Sequence, residues 1–450
     1  METQPMQDNR PVNPRRKKKT KMEIFQEVYL PFLIVAASVL AIVGLVVNIA
    51  SIKKTSADDP SNQAYLSQLA QQSKDLLTRA EAMASAYDYD GALELLATFE
   101  GDAKDFPKLK EAIDNYTVIK ANMVSWSADQ VPNLSFHVLI ADLQAALADK
   151  SYGTNGSNLY NRNFISTTEF SAILQQLYDN GYVLIDLADI YDYREEDASF
   201  IEKKIQLPAG KKPLLLTETH CNYYTYMEES RGFATKLLYN DTFYNEMVTP
   251  DGSTVTGSYD VVPLLEHFIQ LHPDFSYKGA RATLAFSGYD GVFGYRITAK
   301  DLTHEALAQE QADAAALAQA LRDHGYRLAC YTYDNIDYSV KNNYVVEKDI
   351  RLWQENIANV IGQTDVLVFA QEGDIGSSYQ DNNKFDILHE NGFHYFLGSS
   401  SILFQEVGER YVRHNRLLVT GSTLAHHADW FQGMIDTADL LDSLRGSIPE

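Results

Sequence analysis

An α/β fold, built as a parallel sheet or barrel wrapped by helices and preceded by a transmembrane helix and a helical stalk, is what this sequence predicts. Three observations predict it. From Val131 onward, short apolar runs alternate with amphipathic stretches of helical length. Residues 28 to 52 carry no charged side chain at all. Between the two lies a segment dominated by Ala, Leu, Lys, Glu and Gln, with apolar residues near helical spacing.

The chain has 450 residues, enough for two or three structural units. Residues 1–27 form a basic tail, with Arg15, Arg16, Lys17, Lys18, Lys19 and Lys21 crowded before the apolar run. That run, V-Y-L-P-F-L-I-V-A-A-S-V-L-A-I-V-G-L-V-V, reaches the roughly 20 residues that a membrane helix needs. A signal peptide would have a shorter core ending in small residues, and Asn48 falls where a small residue is wanted. The expectation is therefore an uncleaved anchor over 28–52. Positive charge on its N-terminal side keeps the N-terminus cytoplasmic and puts the C-terminal part outside the plasma membrane.

Lys and Arg number 7 before residue 28, against 4 Asp and Glu, so the tail is net +3; with −23 for the whole, the remainder is −23 − 3 = −26. So acidic an exterior disfavours nucleic acid and anionic lipid as partners and is compatible with neutral or cationic glycans. Cys221 and Cys330 are too few to staple a scaffold, so a hydrophobic core must hold the outer part.

Residues 53–127 read as a helical hairpin or stalk. Leu66, Leu69, Leu76, Leu77, Ala80 and Met83 recur at helical spacing, a turn falls at Asp88–Gly91, and Leu93, Leu95, Leu96 and Phe99 follow. Pro107 opens a third helix through Ile113, Tyr116 and Ile119. The main domain is expected over 128–450. V-P-N-L-S-F-H-V-L-I reads as its first strand, Thr167 to Asn180 as a helix capped by the Ser166–Glu169 cluster, and G-Y-V-L-I-D-L as the next strand. Pro213 precedes Leu214, Leu215 and Leu216, a short apolar run that suits a strand buried on both faces. Thr217, Glu218, Thr219 and His220 would then sit at the mouth of a site, because chemistry is placed at the carboxyl ends of parallel strands. A polar, tyrosine-rich insertion over 228–259 comes next, with a turn at Asp251–Gly252. Further helices are expected near 262–271, 303–324, 349–361 and 383–391, and strands near 281–286, 326–331, 366–370 and 394–398.

Two stretches carry a family resemblance. E-F-S-A-I-L-Q-Q-L-Y-D-N-G-Y-V-L-I-D, followed by K-K-P-L-L-L-T-E-T-H-C-N-Y-Y-T-Y-M, resembles the opening unit and first motif of the NodB-type polysaccharide deacetylases, carbohydrate esterase family four. The likeness covers roughly residues 130 to 440 and implies a distorted (β/α) barrel. In that family the first motif ends in an Asp–Asp pair, a general base and a metal ligand; here Thr219 and His220 stand there. Two histidines four residues apart complete the family's metal site; in Ala329-Cys330-Tyr331-Thr332-Tyr333-Asp334-Asn335 their places fall to Tyr331 and Asn335. F-A-Q-E-G-D-I-G keeps Gly373 but has Ala370 where the family's proline-containing loop would lie.

Hydrolysis of an N-acetyl group needs a metal to polarise the carbonyl, a base for water and an acid for the amine. With Thr219, His220, Tyr331 and Asn335 in those places, the expectation is a catalytically impaired deacetylase homologue with no resident cofactor, binding cell-envelope polysaccharide, peptidoglycan or a protein partner. The alternative is an active N-deacetylase that holds a divalent metal such as zinc through a rebuilt set of His220, Asp334 and Glu372, with His137 as a further imidazole. A third possibility is a scaffold within an envelope complex. Cys221 and Cys330 each sit beside a former ligand position, open either to a disulfide or to two buried thiols. No G-x-S-x-G elbow or complete phosphate loop is present. Tyr223, Tyr224, Tyr289, Tyr295 and Tyr333 fall at predicted strand ends, where they would either stack on sugar rings or pack the barrel mouth.

Overall fold

The computed structural model describes residues 60–149, 156–194, 196 and 199–450. The basic tail at 1–27 and the apolar span at 28–52 lie outside the described residues. Among the described residues no helix is long and apolar enough to cross a membrane.

The described chain divides into two units, one of residues 60–76 and 99–106, the other of residues 77–98 and 107–450. In the smaller, the first part of helix α1 (Pro60–Ser85) presents the buried Leu69. Phe99 meets Phe106 edge to face at 4.8 Å, and the Gln72 side chain accepts from the Glu100 N–H.

In the larger unit, helices α2 (Tyr89–Ala97) and α3 (Pro107–Ala121) pack through Tyr89 against Tyr116. Of the expected stalk at 53–127, residues 53–59 lie outside the described residues, and residues 77–98 and 107–127 share a unit with the rest of the chain through tertiary contacts at the sequence turn. The Tyr87 hydroxyl donates to the Asp274 carbonyl at 2.7 Å, the Tyr87 ring stacks on Tyr277, and Asp88 pairs with Lys278 at 2.9 Å. None of these long-range contacts leaves a periodic signal in the sequence.

Ten strands form the main sheet: β1 (Asn133–His137), β2 (Tyr182–Leu184), β3 (Lys212–Thr219), β4 (Thr283–Phe286), β5 (Arg327–Cys330), β6 (Val366–Val368), β7 (Tyr395–Leu397), β8 (Gln405–Val407), β9 (Val412–His414) and β10 (Leu417–Leu418). The path runs β8-β9-β7-β6-β5-β4-β3-β1-β10, with β2 paired to β3 beside it. All pairs are parallel except β8 with β9. β9 pairs with β7 at one edge, and β10, two residues later, pairs with β1 at the other. One stretch of chain, 412–418, therefore bridges the two edges and curls the sheet on itself. The parallel, curled sheet agrees with the α/β class expected from alternation.

Helices follow the strands as the pattern predicts. Helix α4 (Thr167–Asp179) starts at a capping box in which the Ser166 hydroxyl accepts from Glu169 N–H and the Glu169 carboxylate accepts from Ser166 N–H. Helix α5 (Val261–Leu271), helix α6 (His304–Asp323, capped by Thr303), helix α7 (Asn343–Trp353) and helix α8 (Asn383–Glu390) lie close to their expected places. The α7 helix begins six residues before the expected 349, capped by Asn342, and continues through a π-helical turn at Gln354–Ala358. The polar insertion is a three-stranded antiparallel meander of Ala234–Asn240, Thr242–Val248 and Thr254–Gly257.

One strand runs further than its apolar core suggests. β3 extends through Thr217, Glu218 and Thr219, all buried. Side chains alternate between the two faces of a sheet, so Thr217 and Thr219 share a face with Asn133 and His137 of the paired β1, the first donating to Asn133 and the second meeting His137. Glu218 turns the other way, into the core beside Asp260 and Cys221. Glu218 is therefore not at the mouth, where the sequence placed it.

The glycine-rich S-G-Y-D-G-V-F-G-Y-R stretch is a loop tied down by Asn222. The Asn222 side-chain amide donates to the carbonyls of Ser287 and Gly291, and Gly294 N–H donates back to the Asn222 carbonyl. Gly294 has φ +84, and an added Cβ would come within 2.0 Å of the Thr235 carbonyl oxygen. Gly294→Ala is expected to lower stability by about 2 kcal/mol or more, read from a denaturant midpoint, because both the backbone conformation and the space are denied to a side chain.

Candidate ligand-binding site

Parallel strands place their carboxyl ends together. His137 closes β1, Thr219 closes β3, Cys330 closes β5 and Leu418 closes β10. At that edge lies a cavity of about 360 Å³ lined by His137, His220, Tyr331, Glu372 and Arg416, with Arg162, Asn163, Gln371 and the 418–423 turn around it.

The backbone here is strained. His220, Tyr223, Thr332, Asn335, Gln371 and Glu372 all have positive φ, from 49° to 63°, although none is glycine. Each such residue costs of order 1 kcal/mol or more, and clusters of them mark sites where surrounding structure holds the chain in a working conformation. Gln371 and Glu372 are consecutive, in the loop that follows β6.

Hydrogen bonds orient both imidazoles. His137 Nδ1 lies 2.7 Å from the Thr219 hydroxyl, which itself donates to the Phe136 carbonyl at 3.3 Å. With its only proton so used, the hydroxyl must accept, which places the His137 proton on Nδ1. His220 Nδ1 lies 3.0 Å from the Tyr224 hydroxyl, which meets the Ser287 hydroxyl at 2.9 Å; that hydroxyl reaches the Asn222 side-chain oxygen at 3.3 Å. The same logic, followed along this chain, puts the His220 proton on Nδ1. Both Nε2 atoms are then lone-pair acceptors, and neither has a hydrogen-bond partner among the described residues. The rings sit edge to face with centroids 4.7 Å apart, and Tyr331 packs on His220 at 5.0 Å.

Electrostatics keep the pair neutral. Burial pushes His137 well below the usual imidazole range, and the neighbouring His220 and the Arg416 charge push it further. Burial and Arg416 bring His220 down to about 4. Burial also raises the Tyr331 phenol, which stays protonated. Arg416 is itself 2 % exposed. Its Nε donates to the Leu397 and Gly398 carbonyls, one terminal nitrogen to the Ser135 hydroxyl at 2.9 Å, and the other to the Phe369 carbonyl at 3.1 Å. Arg416 thus staples the ends of β1, β6 and β7 at the bridge that curls the sheet.

The metal set expected as an alternative is only partly brought together. Among the described residues no three His, Cys, Asp or Glu side chains come together as a ligand group. His220 and Glu372 line the cavity but Asp334 does not: its side chain is exposed, and its N–H donates to Asp349 at 2.8 Å. A buried guanidinium facing the imidazoles would also repel a second cation. Of the positions named by resemblance, Thr219, His220 and Tyr331 do meet at this edge. Asn335 is half-buried and does not line the cavity.

The tyrosines divide. Tyr223 (2 % exposed) accepts from Asn245, Tyr224 (5 %) supports His220, and Tyr295 (6 %) lies under the Lys236 ammonium. None of these three can offer a ring face to a sugar as packed here. Tyr289 is 52 % exposed and Tyr333 half-buried, so of the five only these two present ring surface to solvent. Cys221 and Cys330 are both buried and free, their thiols pushed up chiefly by burial. Sequence reasoning missed Arg416, although the apolar run Leu417-Leu418-Val419 beside it carries a strand signal.

Among solved structures, a deacetylase of Streptococcus pyogenes, PplD, in complex with acetate is similar to this chain with a TM-score of 0.34 and 12% identity, over 67% of this chain and 95% of that one. No family model matches the chain, and no curated protein matches it.

Proposed function

We propose that this chain is a polysaccharide-deacetylase-like protein that binds saccharide at the carboxyl ends of its parallel strands and lacks the metal-assisted hydrolysis of that family. The observation that carries this reading is the cavity itself. The positions that would supply base and metal hold a hydroxyl bonded to its neighbours (Thr219), a neutral imidazole (His220) and a protonated phenol (Tyr331), with Arg416 charged behind them. Such a lining offers acceptors and donors in numbers that suit a polyhydroxylated ligand, while Tyr289 and Tyr333 offer ring faces outside it. In this reading the 28–52 segment anchors the chain, the larger unit works outside the membrane, and the ligand is envelope polysaccharide or peptidoglycan.

A second reading, an active N-deacetylase with a rebuilt metal set, draws on the two unpartnered Nε2 atoms. Metal content separates the two. After incubation with Zn²⁺, Co²⁺ or Ni²⁺ and dialysis, elemental analysis is expected to find no stoichiometric metal in either the wild-type chain or His220→Ala. Near-stoichiometric metal that disappears in the variant, together with acetate release from chitooligosaccharides, would establish the second reading. Retention on insoluble peptidoglycan or chitin tests the binding itself.

A further inference from the structure

We propose that this cavity selects a saccharide bearing an oxyanion, a sugar acid or sugar phosphate, with Arg416 and Arg162 as its cationic partners; the proposal rests on the saccharide reading above and narrows it. Arg416 is the first ground. Burying a guanidinium costs several kcal/mol unless charge and hydrogen bonds compensate it. The usual compensation is a carboxylate, yet among the described residues none lies within 4 Å of Arg416, whereas the comparably buried Arg445 has Glu169 at 2.6 Å. Arg416 is held by carbonyls and one hydroxyl instead. Guanidinium carries five N–H groups. One on Nε and one on each terminal nitrogen are used, which leaves one N–H on each terminal nitrogen without a partner among the described residues, in a side chain that lines the cavity.

Local charge is the second ground. The cavity is lined by two guanidiniums against the single carboxylate of Glu372, because both imidazoles are neutral. This excess of positive charge sits in a chain of net −23, so general electrostatics does not account for it. Arg162 lies exposed at the rim and forms no ion pair among the described residues. A buried and an exposed guanidinium beside one cavity suit an oxyanion better than a neutral hydroxyl, since charge-assisted hydrogen bonds are roughly twice as strong as neutral ones.

The remaining lining explains why the oxyanion should be carried on a sugar. His137 Nε2 and His220 Nε2 accept, and the Ser422 hydroxyl and the Asn163 amide have no hydrogen-bond partner among the described residues. Simple anions would use the guanidiniums and leave these groups unmet, whereas a hydroxylated ring meets both sets.

Isothermal titration of the full-length chain with glucuronate, glucose 6-phosphate, glucose and acetate tests this. One of the two anionic sugars is expected to bind at least about tenfold more tightly than glucose, with the gap shrinking at high salt. Arg162→Ala is expected to weaken that binding about threefold or more while the melting temperature holds, since Arg162 supports no other part of the fold. Arg416→Gln should abolish it, and the Arg162 variant keeps the test decisive if Arg416→Gln does not fold. Binding of glucose as tightly as both glucuronate and glucose 6-phosphate would overturn the oxyanion proposal and leave the saccharide reading standing. Acetate binding as tightly as glucuronate, with glucose silent, would overturn the saccharide reading. Failure of all four ligands to bind the folded chain would overturn both.

Discussion

Arg445→Ala is expected to destabilise the larger unit by about 3–5 kcal/mol, the loss seen when one partner of a buried ion pair is removed and the other stays charged. Both Arg445 and Glu169 have side chains 1 % exposed. Glu169 accepts from Arg445 Nε and a terminal nitrogen, each at 2.6 Å, and from the N–H groups of Ser166 and Asp442. The other terminal nitrogen donates to the Asn161 carbonyl and side-chain oxygen, and the Asn161 amide donates back to the Arg445 carbonyl at 3.0 Å. Truncation strips the Glu169 carboxylate of its counter-ion and detaches the C-terminal turn. Urea denaturation followed by tryptophan fluorescence would read the loss as a lower midpoint. Replacing both residues by apolar ones of similar volume should recover most of it.

The same pair sets an acid limit. Burial alone would raise the Glu169 carboxyl, but the Arg445 hydrogen bonds and charge outweigh it, with help from the Asp442 and Ser166 amides, and hold it below the usual range. A carboxyl held low in the folded state contributes stability above its unfolded pKa. That contribution is lost as pH falls through the folded pKa. The wild-type chain should therefore lose stability on acidification more steeply than the doubly apolar variant.

Glu218→Ala is expected to cost about 2–4 kcal/mol, while Glu218→Gln should be tolerated and should remove a loss of stability at alkaline pH. Glu218 is 0 % and Asp260 1 % exposed. Neither Glu218 oxygen nor Asp260 Oδ2 finds a donor if both carboxyls are ionised; a proton on Glu218 lets it donate to Asp260, whose Oδ1 already accepts from Leu139 N–H at 2.8 Å. Burial pushes Glu218 well up, with the Asp260 charge adding to it, and burial raises Asp260 as well. The folded chain thus keeps a proton that the unfolded chain has released. Stability from this pair is full below the unfolded pKa and falls as pH rises through the folded one. Denaturation midpoints measured from pH 5 to 9 should decline in wild type and flatten in Glu218→Gln, whose amide donates to Asp260 without titrating. An equal slope in both would place the alkaline loss elsewhere.

Much of the fold is legible in the sequence because its signals are local. The Ser166–Glu169 capping box lies within four residues, and Leu214–Leu216 behind Pro213 reads as a buried strand without reference to any neighbour. Alternation from Val131 onward dictates helices against a parallel sheet, since only that arrangement covers both faces of such strands. The carboxyl-edge position of Thr219, His220 and Tyr331 follows from the ends of their strands.

What the sequence by itself determined is this layout, with Thr219, His220 and Tyr331 at the carboxyl ends of its parallel strands. Tertiary structure decided the rest. Arg416 reaches Ser135 across 281 residues and Arg445 reaches Glu169 across 276. No local pattern encodes such pairings. The direction in which Glu218 points, the burial of Tyr223, Tyr224 and Tyr295, and the meeting of His137 with His220 likewise depend on which strands become neighbours. Periodicity is set by one element's own geometry, whereas a site is set by the distances between elements, and those exist only once the sheet has curled.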